Sequence, residues 1–222
     1  MRLNDDVLTA LRGLSTPTVS NAIEAFNVRR RNEGFMSPQV RSLFPDQGVM
    51  VGYAVTARFA ALHPPGRHPE RPEFWNHILS LPEPRVVVME DVDDTPGVGA
   101  YFGEVQTNIH LRLGCIGVVT NGHVRDLDEV RPLGFQYFAG GVCVSHAYVH
   151  LVEVGRPVSV GGVVVHPGDL IHADKHGVLT VPLDIAPEVP KAAAEQAKAE
   201  AKIIACCKAP DFSVEKLSAI YK

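Results

Sequence analysis

Two short β-branched runs, with a helical pattern between them, constrain the fold most strongly. "RVVVMED" covers residues 85–91, and "CIGVVT" covers residues 115–120. Runs of this length and composition are typical of strands that are buried on both faces. Between them, a glycine-containing loop leads into a helical pattern that starts at Tyr101 and ends at Gly114. This order predicts a β-α-β unit with parallel strands.

The remaining sequence predicts helices at both ends of the chain and short strands in its second half. Helical patterns occupy about residues 4–26 and about residues 187–221. A long strand is predicted at 48–62, and the segment "HPPGRHPERPEFWNH" follows at 63–77. No repeat or low-complexity linker divides the chain, so we expect one mixed α/β domain over residues 1–222.

Composition argues against two classes of partner. The formal net charge is −4, and the basic residues form a block only at "RRR", residues 29–31, so we expect no nucleic-acid partner. No apolar run approaches the roughly 20 residues that cross a bilayer, so we expect no membrane partner. The N-terminus does not resemble a signal peptide, and the four cysteines form no C-x-x-C pair. A reduced, cytoplasmic location is therefore expected.

Two polar motifs flank the second strand of the β-α-β unit. Gly103-Glu104 begins the predicted helix, where free backbone N–H groups and the helix dipole favour an anion. Arg125-Asp126 follows the strand 115–120. Loops at the carboxyl ends of parallel strands share one crevice, so the two motifs should face each other. Arginine suits a carboxylate or keto oxygen, and aspartate suits Mg²⁺ or Mn²⁺.

Each motif also has a simpler interpretation. Arg125-Asp126 alone would be an ordinary charge pair at the start of a helix, and Gly103-Glu104 alone would be an ordinary helix N-terminus. Their combination favours a site. Acidic residues that could hold water around a metal are Glu90, Asp91, Glu104, Asp128 and Glu129. The ten histidines lack cysteine partners at zinc-ligand spacing, so a structural zinc site is not expected.

These motifs carry a resemblance to a known family. Together with "GCIGVVTNG" at 114–122 and "HPGDLIHADKHGVLTVP" at 166–182, they resemble the 4-hydroxy-4-methyl-2-oxoglutarate aldolases and the regulators of ribonuclease E activity A. The resemblance runs from about Val49 to Pro182. It implies a swivelling β/β/α domain, an αββα sandwich, assembled as a homotrimer or a dimer of trimers.

The resemblance also implies a reaction and a site. The implied enzyme is a class II aldolase that needs Mg²⁺ or Mn²⁺, cleaves a 4-hydroxy-2-oxo acid to pyruvate, and decarboxylates oxaloacetate as a side activity. Arg125 would contact the pyruvyl oxygen, and Asp126 would be the direct metal ligand. Glu129 and Glu104 would act through metal-bound water, with Glu104 also a candidate base. The substrate carboxylate would meet the backbone amides of Gly103, Glu104, Val105 and Gln106.

Two alternatives and two departures accompany this resemblance. The protein could be a non-catalytic regulator of a ribonuclease, or a related keto-acid enzyme with another substrate. Asn121 stands where the family often has Asp, and the segment 63–77 is longer than in the simplest members. We expect both departures to bear on substrate specificity.

Overall fold

The computed structural model describes residues 2–221. The helices are α1 (Asp5–Arg12), α2 (Thr16–Glu24), α3 (Arg71–Leu79), α4 (Glu104–Arg112), α5 (Leu127–Val130), α6 (Val189–Lys208) and α7 (Val214–Ile220), with a 3₁₀ turn at Arg131–Leu133. The strands are β1 (Arg41–Ser42), β2 (Met50–Ala60), β3 (Arg85–Asp91), β4 (Ala100–Phe102), β5 (Cys115–Thr120), β6 (His123–Val124), β7 (Gln136–Ala139), β8 (Gly141–Val142), β9 (His150–Val154), β10 (Val158–Val160), β11 (Val163–Val165), β12 (Leu170–Asp174) and β13 (Gly177–Val181).

The main sheet has a parallel centre and antiparallel edges. Strands β2, β3, β5 and β7 are parallel, in the order β7-β5-β3-β2, and β1 adds antiparallel to β7. At the opposite side of the parallel strands, the long strand β2 has two antiparallel neighbours. The first half of β2 pairs with β12, and the second half pairs with β9. The predicted β-α-β unit is confirmed as β3, α4 and β5, and the α/β class with it.

A second, smaller parallel sheet lies beyond the carboxyl ends of the central strands. It has the order β4-β6-β8, and its members follow β3, β5 and β7 along the chain. Strands β3, β5 and β7 each lead into one strand of this small sheet. The loops and helix ends next to those small strands therefore lie side by side. This small sheet positions the candidate site.

Alternate residues of the central strands fill two apolar layers. Val87 and Met89 of β3 belong to a cluster that also contains Phe74 of α3. Val86 and Val88 face the opposite side, in a cluster built with β10 and β11. The sheet is therefore covered on both faces, which explains why its strands are apolar at successive positions.

The sequence prediction places the start of one helix wrongly. Ala100 and Phe102 form strand β4, which pairs with His123 and Val124 of β6, and helix α4 begins only at Glu104. Strand pairing over a long sequence distance here overrides the local helical pattern. The terminal helices lie within the expected ranges. Within residues 2–221, no helix combines the length and apolar character needed to span a membrane.

Asn121 ties together the carboxyl ends of β3 and β5. Its Oδ1 accepts a hydrogen bond from the backbone N–H of Asp91 at 2.8 Å, and its Nδ2 donates to the backbone carbonyl of Asp91 at 2.9 Å. A side-chain amide can both accept and donate, whereas an ionised carboxylate can only accept. Asn121 therefore serves the sheet in a way that Asp could not.

Replacing Asn121 by Asp should lower the free energy of unfolding by about 1–3 kcal/mol, because the carbonyl of Asp91 loses its donor and faces an anionic oxygen. The measurement is urea unfolding at neutral pH. Asn32→Asp is the matched control, since Asn32 is exposed and its side chain makes no hydrogen bond with the described residues. Equal unfolding midpoints for the two variants would contradict this role.

Candidate functional site

A cleft of about 360 Å³ opens between the N-terminus of α4 and residues 146–149. We call it the Arg125 cleft. Its lining includes Gly103, Val105, Gln106, Arg125, Asp126 and His146. The two motifs that the sequence analysis expected to face each other therefore share one cavity.

Asp126 has an unusual backbone conformation that aims its carboxylate at α4. Its φ of 60° and ψ of 47° lie in the left-handed region, which Asp tolerates better than most residues with a side chain. Although Asp126 directly precedes α5, its side chain does not cap that helix. Instead, Oδ2 accepts a hydrogen bond from the backbone N–H of Glu104 at 2.9 Å. Asp126 thus caps a different helix, and it is more than an ordinary charge at a helix start.

Gly103 provides the space that this contact needs. A β-carbon at position 103 would collide with Oδ2 of Asp126 and would lie 3.1 Å from Cγ and Nε of Arg125. The φ of Gly103 is −150°, which any residue can adopt. Glycine is therefore required here for close approach and not for its backbone freedom.

Arg125 is held by its backbone and leaves its side chain available. Its N–H donates to the carbonyl of Phe102 at 3.0 Å. Its Nε lies 3.6 Å from Oδ2 of Asp126, and the two side chains are 35% and 34% exposed. The guanidinium donates no hydrogen bond to any other group between residues 2 and 221. The N–H groups of the Arg125 guanidinium are therefore available to donate hydrogen bonds to a ligand in the cleft.

The first turn of α4 presents two further donors. The backbone N–H of Glu104 is taken by Asp126. The next two, on Val105 and Gln106, have no acceptor among the described residues, and Thr107 N–H closes the first helical hydrogen bond to Gly103. Free N–H groups and the helix dipole together favour a carboxylate at this position.

Buried polar groups that carry no charge lie behind this turn. The hydroxyls of Thr107 and Tyr137 are 2.8 Å apart, and burial raises the pKa of Tyr137 above its usual range. His110 places Nδ1 2.7 Å from the carbonyl of Gln106, and burial lowers the pKa of His110 to about 4. All three groups are neutral at physiological pH, so they add no charge to the field that Arg125, Asp126 and the helix end set at this turn.

Two of the candidate acids form hydrogen bonds that hold the fold together. Glu90 accepts from Arg58 at 2.9 Å and from the backbone of Ser159 at 3.0 Å. Asp91 accepts from the backbone N–H groups of Gly97 and Asp93. Burial is the largest influence on Asp91 and raises its pKa. Neither acid lines the Arg125 cleft, so their expected role around a metal is not supported by their positions.

The other candidate acids lie outside the cleft lining. Glu104, Asp128 and Glu129 are exposed, and none of them lines the cavity. Asn121 is also absent from the lining and borders a separate cavity beside Gly140 and Ser159. Among the described residues, Asp126 is the one carboxylate that lines the Arg125 cleft.

The donor set at Asp126 suits a hydrated magnesium or manganese ion. Among residues 2–221, no three His, Cys, Asp or Glu side chains are grouped so that they could enclose a metal. Oδ1 of Asp126 makes no hydrogen bond there, and the carboxylate is one-third exposed. Mg²⁺ is commonly held by one or two carboxylates, with water and substrate completing its six positions. The residues present fit an ion held in that way.

Several residues of the cleft carry no signal in the sequence. The cleft is also lined by Arg71, Tyr101, His146 and Tyr148, which belong to no motif that predicts a site. Arg71 comes from the segment 63–77, and the last two come from the loop after β8. Tertiary contacts alone bring these segments to the cleft, since no fixed spacing links them to Arg125.

Comparison with known proteins shows the family of this chain. The sequence profile of the Aldolase/RraA family matches residues 16–180. The chain belongs to the Aldolase/RraA family. An uncharacterized protein of Methanocaldococcus jannaschii is 30% identical over 168 residues, which cover 74% of this chain and 76% of that protein. The predicted family is confirmed, and with it the RraA-like α/β fold.

The names of other similar proteins indicate different functions. A Halalkalibacterium halodurans protein named "Putative 4-hydroxy-4-methyl-2-oxoglutarate aldolase" is 32% identical over 84 residues, 37% of this chain and 40% of that one. Protein DlpA of Legionella pneumophila is 33% identical over 119 residues, but the match spans only 18% of its length and 51% of this chain. The structure of RraAS2 from Streptomyces coelicolor, described as an unusual member of the RNase ES inhibitor RraA family, has a TM-score of 0.70 at 24% identity, over 90% of this chain and 96% of that one. This last likeness establishes the fold alone.

Replacing Gly103 by Ala should lower the free energy of unfolding by about 1–3 kcal/mol, because the added methyl group displaces Asp126 from the N–H of Glu104. Urea unfolding measures the loss. Gly66→Ala is the matched control, since a β-carbon there meets no atom within 4 Å and its φ is not left-handed. If both variants unfold at the same urea concentration, the close approach at Gly103 is not a constraint.

Proposed function

We propose that this protein is a divalent-metal-dependent class II aldolase that cleaves a 4-hydroxy-2-oxo acid and releases pyruvate. One observation carries the proposal. The guanidinium of Arg125, the carboxylate of Asp126 and the free N–H groups of Val105 and Gln106 open onto the same cleft. The aldolase name of the Halalkalibacterium relative supports the choice of reaction.

The substrate carboxylate fits the start of α4. The N–H groups of Val105 and Gln106 would bind one carboxylate oxygen each, with the helix dipole adding to the attraction. The 2-keto oxygen would then lie toward Arg125. In this pose the keto-acid end of the substrate lies against the side of the cleft that is formed by the two predicted motifs.

Bond cleavage moves negative charge onto the 2-keto oxygen. The 4-hydroxyl group loses its proton, the C3–C4 bond breaks, and its electron pair moves through C2 to that oxygen. This yields the pyruvate enolate and a carbonyl product. The positive charge of Arg125 would stabilise the developing oxyanion. Such electrostatic stabilisation is strongest where water is largely excluded. Decarboxylation of oxaloacetate forms the same enolate, so that activity should accompany the first.

Asp126 would hold the Mg²⁺ or Mn²⁺ ion, with water and substrate as its other ligands. When bound, such an ion supplies Lewis-acid stabilisation to the same oxyanion. The water-mediated roles of Glu129 and Glu104, and the role of Glu104 as a base, stay predictions. The homotrimer or dimer of trimers and the cytoplasmic location also stay predictions.

The geometry favours the enzyme over a purely binding role. A regulator of a ribonuclease would need surface complementarity to its partner, but it would not need Asp126 in a left-handed conformation inside a cleft. Strained backbone of this kind costs on the order of 1–3 kcal/mol and is concentrated at functional sites. A related keto-acid enzyme with another substrate would use the same cleft.

Arg125→Ala and Asp126→Ala should each reduce pyruvate formation at least about 100-fold, because each removes charge stabilisation of the oxyanion. The assay couples pyruvate to lactate dehydrogenase, with 4-hydroxy-4-methyl-2-oxoglutarate or oxaloacetate and Mg²⁺ or Mn²⁺. Arg112→Ala is the control, since Arg112 is exposed at the other end of α4. No pyruvate from the unaltered protein with either substrate would refute the proposed function.

Removing divalent cations with a chelator should abolish turnover, and adding Mn²⁺ or Mg²⁺ in excess should restore it. The physical reason is that the two amide groups bind the substrate carboxylate, so without the ion Arg125 alone would face the developing oxyanion. Asp126→Asn should need a much higher cation concentration for half-maximal rate, because the amide keeps the shape but loses the charge. Full activity in the chelator would contradict metal dependence.

A further inference from the structure

A second cavity, of about 460 Å³, adjoins the Arg125 cleft. We call it the outer cavity. The residues that line both are Pro65, Arg71, Tyr101, Gln106 and Val149. The shared residues form a junction that a ligand longer than pyruvate, anchored at Arg125, could reach.

Three polar side chains at the junction have no partner within the protein. Arg71 forms no ion pair, and the side chains of Arg71, Tyr101 and Gln106 make no hydrogen bond within residues 2–221. Glu70 lies next to Arg71 in sequence and lines the outer cavity, but it too forms no ion pair with it. The junction thus offers a guanidinium, a phenol and an amide that are all free to bind a ligand.

Tyr101 and Arg71 line both cavities, and Tyr101 keeps its proton. Burial raises the pKa of Tyr101 to about 12, and the positive charge of Arg71 acts in the opposite direction. The hydroxyl is therefore protonated at physiological pH and can donate a hydrogen bond. A guanidinium and a hydroxyl can both donate hydrogen bonds to an anion, and a carboxylate matches the planar fork of arginine.

We propose that Arg71, with Tyr101 and Gln106, binds a second carboxylate at the far end of the substrate. This inference rests on the proposed function and makes it more specific, because it assigns a residue to the second carboxylate that 4-hydroxy-4-methyl-2-oxoglutarate carries. The keto-acid end lies at Arg125, and the distal carboxylate lies at the junction. Arg71 is then a specificity-determining residue, contributed by the segment 63–77.

The outer cavity also supplies a reporter for ligand binding. Its walls include Trp75, Pro69 and Leu151, which would contact a substituent beyond the junction. Trp75 is the single tryptophan of the chain. Its fluorescence should therefore change when a ligand fills the junction, and it reports binding without any need for turnover.

The experiment compares 2-oxoglutarate with 2-oxopentanoate, which has the same five-carbon chain without the second carboxylate. Each is titrated in the presence of Mg²⁺, followed by Trp75 fluorescence and by calorimetry. The unaltered protein should bind the dicarboxylate about tenfold to a hundredfold more tightly, as a charge-assisted pair would give. Arg71→Ala should remove that preference and leave the affinity for 2-oxopentanoate unchanged.

Arg67→Ala is the matched control. Arg67 lies in the same segment but lines neither cavity, so this variant should keep the preference for the dicarboxylate. Equal affinities for the two acids, no binding of either, or an equal effect of Arg71→Ala on both would overturn the inference.

The outcomes separate this inference from the proposed function. Selective binding that depends on Arg71, without pyruvate formation, would support the site and refute the aldolase. Pyruvate formation with no difference between Arg71→Ala and the unaltered protein, for dicarboxylic and monocarboxylic substrates alike, would support the aldolase and refute the role of Arg71.

Discussion

The hydrogen bond from the backbone N–H of Glu104 to Oδ2 of Asp126 joins the two halves of the candidate site. It connects the first residue of α4 to the residue that precedes α5. Two requirements follow from it, a left-handed backbone at Asp126 and the absence of a side chain at Gly103. Strain of this kind persists only where the surrounding structure determines the conformation, and here the paired strands β4 and β6 do so.

The rest of the fold serves to place those two residues side by side. The central strands β3 and β5 are buried on both faces, so their carboxyl ends hold the small sheet in a fixed position. At their carboxyl ends, Asp91, Glu90 and Asn121 bind backbone amides and an arginine instead of a ligand. Polar residues near this edge therefore have two kinds of role: those at the ends of β3 and β5 hold the backbone, and those of β4, α4 and the segment after β6 line the cleft.

Asn121 and the segment 63–77, the two features expected to set this chain apart from its family, lie in different parts of the structure. Asn121, expected to bear on specificity, lies outside the cleft and bonds twice to the backbone of Asp91. The segment 63–77 does line the cleft and brings Arg71 to its junction with the outer cavity. The determinants of substrate specificity should therefore be sought in that segment.

The sequence alone determined the β-α-β unit, the α/β class, the family, and the pairing of Gly103 with Arg125 and Asp126. Those features depend on local composition and on a topological rule, because parallel strands bring their carboxyl ends to one edge. Only the tertiary structure decided that Ala100–Phe102 is a strand, that Asp126 caps α4, and that Arg71 and Tyr101 line the cleft. These depend on contacts between residues far apart in the chain, and no periodicity or spacing in a sequence encodes such contacts.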